Sequence, residues 1–179
     1  TWLASNRSQG VLTPVNPTVF VYRQTEGALT VTGILANVSL RAYNAGLIKR
    51  HEATITKTQR RMAEYFRTTR VYGNPVALAH RSHTGIDAAI VEHTRRDPDS
   101  CFTTVDGRSH DLWAIGGQTA EDLCRSFDNA LYITDGHHRL AAASLVADEE
   151  GHNDASMPAA LFSANAMQLR AFARCVIDH

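Results

Sequence analysis

Cysteine is scarce in this chain. It has three, Cys101, Cys124 and Cys175, and none falls in a CxxC pair. An odd set without paired spacing gives no disulfide framework and fits reduced thiols in a cytoplasmic protein. No apolar run reaches the ~18 residues that a membrane span needs, and no signal peptide is visible. Net charge is also missing, because 18 Lys and Arg balance 18 Asp and Glu. That removes the attraction that would make nucleic acid or an anionic membrane the main partner. There is no internal repeat and no low-complexity tract.

What remains is an ordinary globular composition, 44% hydrophobic and 20% charged over 179 residues. This length suits one domain, residues 1–179, and can bury a core without disulfides or metal. The chain opens on Thr1 and closes on a strand-like run at 174–177, so it is expected to be a portion of a longer protein.

The pattern along the chain mixes hairpins and helices. Residues 18 to 24 are β-branched and aromatic, Glu26-Gly27 turns, and residues 29 to 37 return as a second strand. Residues 52 to 68 read as a helix with an apolar stripe of Ile55, Met62, Tyr65 and Phe66 against a basic face of Lys57, Arg60 and Arg61. Asn74-Pro75 ends it, and residues 76 to 79 read as a short strand. A helix is expected over 86 to 95, and a hairpin around Asp106-Gly107 joins 101–105 to 110–115. Thr119 is placed as the N-cap of the next helix. Residues 130 to 134 form a buried strand, 139 to 149 a helix, and 158–163 and 169–177 two closing strands. The sum is α+β with a mixed or antiparallel sheet flanked by helices. Trp113 reads as a core anchor. His80, His83, His93, His110 and His152 follow no pattern and read as surface or core residues.

The segment with chemical content runs from that buried strand into Asp135-Gly136-His137-His138-Arg139 and on into a helix. A helix start leaves backbone N–H groups unpaired and carries partial positive charge. Gly136 allows a sharp turn and a close approach by an oxygen. His137, His138 and Arg139 add donors, and Arg139 can offer a two-pronged fork to phosphate. This is an anion site of the kind that holds nucleotide phosphates. Asp135 at its rim would repel phosphate unless a cation lies between, so its natural partner is Mg2+. The competing reading is a plain helix start whose histidines cap and whose arginine pairs on the surface. A zinc site on His137 and His138 is disfavoured, since adjacent histidines seldom chelate one ion from one helix turn.

The second candidate is Glu52, in Lys49-Arg50-His51-Glu52-Ala53-Thr54 just ahead of a helix. The zinc-protease pattern HExxH is not met, because Ile55 stands where its second histidine belongs. As structure, Glu52 is a carboxylate matched to a helix dipole. As chemistry, it is a general base facing the phosphate site, with His51 orienting it.

With these blocks in view, the chain resembles the free serine kinases of the ParB/sulfiredoxin superfamily, and an uncharacterised prokaryotic family related to them. The likeness rests on Val21-Tyr22-Arg23-Gln24, on the His51-Glu52 block, and on Tyr132-Ile133-Thr134 running into Asp135–Arg139. It implies a ParB/sulfiredoxin-like fold in which residues 80 to 130 form an inserted hairpin and helix segment. It also implies Glu52 as catalytic base beside His51 and Asp135, Asp135 as metal ligand, and Gly136, His137, His138 and Arg139 on the phosphates. The implied reaction passes a phosphoryl group from ATP or ADP, with Mg2+, to the hydroxyl of free L-serine or a related amino acid. A homo-oligomer is left open. Sulfiredoxins place a nucleophilic cysteine where this chain has His137, so their chemistry lacks its nucleophile. ParB-type proteins add a helix-turn-helix, which is not seen here. The competing function is a nucleotide-binding regulatory module without turnover.

Overall fold

The structure, a computed structural model, describes residues 2–11 and 19–167. Within them lie six helices and eight strands: α1 (Trp2–Ser8), β1 (Val19–Glu26), β2 (Leu29–Ser39), α2 (Leu40–Asn44), β3 (Ile48–Lys49), α3 (Thr56–Thr69), β4 (Val76–His80), α4 (Thr84–His93), β5 (Ser100–Thr103), β6 (Ser109–Ile115), α5 (Gly117–Arg125), β7 (Leu131–Asp135), α6 (His137–Glu149) and β8 (Ser156–Ser163). The strands form one mixed sheet in the order β3-β7-β4-β8-β2-β1-β6-β5. Pairing is parallel for β3 with β7 and for β4 with β8, and antiparallel elsewhere. The α+β reading and both hairpins are observed.

Residues paired across neighbouring strands project to the same face. Trp113, Val21, Ile34, Leu161, Leu78 and Ile133 are linked in that way, so they share one face. Both hydrophobic clusters rest on it. One gathers α2, α3 and α6 over β4, β7 and β8, and the other gathers α4 and α5 over β1, β2 and β6. Residues 80 to 130 therefore extend the one sheet and its helical layer. Trp113 is their anchor: it is 1% exposed, and its indole N–H donates to the Arg96 carbonyl at 2.9 Å.

Helix α6 carries little polarity contrast because it is buried nearly all round. Leu140, Ala141, Ala142, Ala143, Val146 and Ala147 are all buried. The alanines let α2 and α3 pack close against it.

Three expectations need correction. The helix read from residue 52 begins at Thr56, so Glu52 lies in the loop before it. Ile55 and Tyr65 are 64% and 52% exposed, and the buried side of α3 is Ala63 and Phe66. Thr119 is not an N-cap, because α5 begins two residues earlier on a glycine pair, with Gly116 at the cap. Helix α2 and the two-residue strand β3 were not anticipated. The strand read over 169–177 lies outside the described residues.

Candidate active site at the paired starts of α3 and α6

Three chain segments meet at one edge of the sheet. Strand β3 runs parallel to β7, with Ile48 paired to Leu131 and Lys49 to Tyr132. Both strands therefore deliver the chain that follows them to the same end. From β3 comes Arg50-His51-Glu52, and from β7 comes Asp135-Gly136-His137. Strand β4 is antiparallel to β7, so its lead-in, Asn74-Pro75, arrives there as well. The Arg50 guanidinium lies 4.1 Å above the ring of Tyr43, which is 2% exposed, and this contact pins the first residue of the Glu52 loop.

Gly136 makes the turn from β7 into α6 at φ +96°, a conformation that suits glycine. A Cβ there would sit 2.7 Å from Cγ1 of Val76 and 3.2 Å from the Arg139 guanidinium carbon. Val76 and Arg139 thus fill the space that a side chain at this position would need. Arg139 is also committed. It donates to the carbonyls of Pro75 at 2.6 Å and Asn74 at 3.3 Å, and to Asp135 at 2.5 Å. Its fork clips the start of α6 to the entry of β4. Asp135 gives one oxygen, Oδ2, to that clip, and its side chain is 74% exposed.

His137 and Glu52 face each other. The imidazole Nδ1 lies 3.8 Å from the carboxylate Oε2, closer than any sequence argument could place them but longer than a hydrogen bond. The His137 side chain is 7% exposed and that of Glu52 is 65% exposed. Burial pushes the His137 pKa below the ordinary histidine range. His51 pushes the same way, while Glu52 and Asp135 oppose it. His137 is therefore neutral at neutral pH. His51 meets it edge-on, with ring centres 4.4 Å apart. Nε2 of His137 and Nδ1 of His138 are buried and have no hydrogen-bond partner among the described residues.

Helices α3 and α6 lie side by side and run in the same direction. Gln59 of α3 donates to the Ala141 carbonyl of α6 at 3.2 Å, and eight residues further along both helices Arg67 pairs with Glu149. Their N-terminal ends consequently sit together. Neither start has a side-chain cap or an acidic residue in its first turn. Between them opens a cleft of about 250 Å³ lined by Glu52, Thr58, Met62, Asp135, Gly136, His137, His138 and Arg139. Every residue singled out from the sequence except His51 is on that list, and His51 is in contact with one of its members. Thr58 and Met62 were missed. The Thr56-Lys57-Thr58 run at the start of α3 was the available signal. Two openings are larger: one of about 300 Å³ at the β1–β2 end includes Glu26 and Phe162 and has no cation in its lining, and one of about 460 Å³ beside α2 includes Arg41 and Asp154 and none of the residues singled out from the sequence.

Residues 2–179 match the family described as "Protein of unknown function (DUF1015)". The chain belongs to that family. No curated protein and no solved structure matches it.

The donor set limits what metal this cleft of the family member could hold. Among the described residues, no group of three or more His, Cys, Asp or Glu side chains is placed to hold a metal ion. A resident zinc or calcium cage is thus not built here. Mg2+ is less demanding. It commonly rests on one or two carboxylates and takes its remaining ligands from phosphates and water. Asp135 fits that role, with an exposed carboxylate of which only Oδ2 is engaged by Arg139.

Proposed function

We propose that this protein is a nucleotide-dependent small-molecule kinase of the ParB/sulfiredoxin type, passing a phosphoryl group from ATP or ADP to the hydroxyl of free L-serine or a related amino acid. The observation that carries the reading is the shared cleft. The exposed Glu52 carboxylate and the Asp135–Arg139 turn line the same 250 Å³ opening.

Phosphoryl transfer asks for positioning and for stabilisation of charge on the phosphate oxygens, with little covalent work by the protein. The first turn of α6 supplies unpaired amides and the positive end of a helix dipole for those oxygens. Arg139 and Val76 hold Gly136 in the conformation that aims those amides. Glu52 accepts the proton of the acceptor hydroxyl. The hydroxyl oxygen then forms its bond to the terminal phosphorus as the bond to the departing nucleotide breaks. Mg2+ brought in with the nucleotide would be held by Asp135 and would neutralise charge on the phosphates. His137, kept neutral by burial, lies beside Glu52.

The test is direct. Protein, Mg2+ and L-serine are incubated with ATP or with ADP and followed by phosphorus NMR. The reading expects the O-phosphoserine resonance, or that of a related phosphorylated hydroxy amino acid, to grow with enzyme concentration. Absence of any transfer across a panel of small hydroxy amino acids would overturn it.

A further inference from the structure

The start of α3 has no role in the site as read from the sequence, yet Thr58 and Met62 of this helix line the cleft. The first helical hydrogen bond of α3 is from the Gln59 amide to the Ile55 carbonyl at 3.0 Å, and that of α6 is from the Leu140 amide to Gly136 at 2.9 Å. The amides of Thr56, Lys57 and Thr58 and those of His137, His138 and Arg139 therefore precede the ladders of their helices. Two parallel helices with adjacent starts bring two positive dipole ends together, an unfavourable arrangement that an anion between them relieves. Caps or acidic first turns would also relieve it, and neither helix has them.

A second observation points to a ligand in the same place. His137 lines the cleft, its side chain is only 7% exposed, and its Nε2 has no partner among the described residues. Thr58 lines the cleft from the facing helix, and Lys57, next to it in sequence at the rim outside that lining, is exposed and makes no ion pair with any described residue. On the α6 side, by contrast, Arg139 is spent on Asp135 and two carbonyls. Side-chain cation and hydroxyl donors for an anion are thus free on the α3 side.

We infer that the first turn of α3, Thr56-Lys57-Thr58, is a second phosphate subsite, and that the cleft takes a linked diphosphate or triphosphate bridging the two helix starts. This rests on the kinase reading and deepens it. One phosphate lies on the α6 amides near Asp135, and the next lies on the α3 amides with Thr58 donating its hydroxyl and Lys57 its ammonium. A single phosphate would satisfy one helix start and leave the other bare, which sets the ligand class as a polyphosphate.

The experiment titrates inorganic phosphate, pyrophosphate and ADP, each in the presence of Mg2+ to offset the Asp135 and Glu52 carboxylates of the cleft, into the full chain by calorimetry. It compares wild type, Lys57→Gln, the double variant Lys57→Gln with Thr58→Val, and Thr58→Ser. Wild type should bind pyrophosphate and ADP at least about tenfold more tightly than phosphate. The double variant should lose about tenfold toward pyrophosphate and ADP while its phosphate affinity stays put. Thr58→Ser should behave as wild type. Lys57→Gln, at an exposed position, tests the ammonium even if the double variant does not fold. Weakening of ADP alone would mean that the α3 turn meets the nucleoside and not the diphosphate, which overturns the inference. So would unchanged pyrophosphate affinity in both variants while wild type still binds phosphate, and the kinase reading would survive that result. Failure of wild type to bind any of the three anions would remove the kinase reading with it.

Discussion

Nδ1 of His137 lies 3.8 Å from the Glu52 carboxylate, although one residue closes the turn after β7 and the other sits in the loop after β3. The parallel pairing of those two strands produces the meeting. Their neighbouring C-terminal ends release the two motif loops side by side, and α3 and α6 then run back in parallel over the sheet. Two uncapped helix starts and a solvent-facing carboxylate are joined in this way at one cleft.

The conformation of Gly136 is a test of the turn. Gly136→Ala must hold a methyl-bearing residue at φ +96° and press it against Val76 at 2.7 Å. The strain and the overpacking together should cost roughly 2 to 4 kcal/mol. Urea unfolding should show the loss, and any anion binding should weaken with it. A variant as stable as wild type would mean that the turn does not have this geometry.

The corrected face of α3 gives a second test. Phe66, 6% exposed, packs into the core and meets Tyr72 with ring centres 4.8 Å apart. Phe66→Ala should cost about 3–5 kcal/mol. Ile55→Ser and Tyr65→Ser, at exposed positions, should each stay within about 0.5 kcal/mol of wild type. The stripe read from spacing alone assigned all three residues to the core. Equal losses at the three positions would restore that stripe.

His137 makes stability depend on pH. Its folded pKa lies below the unfolded value near 6.5, so the unfolded chain binds the proton first as pH falls. The stabilisation from keeping His137 neutral is complete above about pH 6.5 and is lost as pH drops toward the folded pKa. His137→Gln should flatten that part of the profile measured by denaturant unfolding between pH 7 and 5. His51→Gln removes the second cause of the shift, so NMR titration should find the His137 pKa raised but still depressed by burial. A His137 that titrates normally in the wild-type chain would contradict the site geometry.

Much of this architecture was legible in the residues. The alternation in 18–24 and 29–37, and the turn chemistry at Asp106-Gly107, announced two hairpins that are present. The passage from a short strand through Asp135-Gly136 into an alanine-rich helix was also legible, although the strand read as buried exposes Tyr132 and the helix read from residue 139 begins at His137. The element that assembles the site could not be read. Ile48–Lys49 is a strand of two residues, too short for any period to register, and it owes its existence to pairing with β7. Nor could the sequence reveal that Arg139 would be drawn to the Asn74 and Pro75 carbonyls, because the entry of β4 reaches it only through the tertiary fold. For the same reason Thr58 and Met62 had no mark beyond their place on a helix.

The measurement that bears most directly on the central claim pairs two readings on one preparation of Glu52→Gln: nucleotide affinity and phosphoryl-transfer rate. The substitution keeps shape and removes the base, while the helix starts that hold the phosphates are untouched. The account predicts nearly unchanged affinity for ATP and ADP, with transfer lowered by roughly 10² to 10⁴-fold. A variant that transfers phosphoryl groups as fast as wild type would contradict Glu52 as the base. A wild-type protein that binds nucleotide but transfers nothing to any hydroxyl compound would leave a nucleotide-binding regulatory module in place of a kinase.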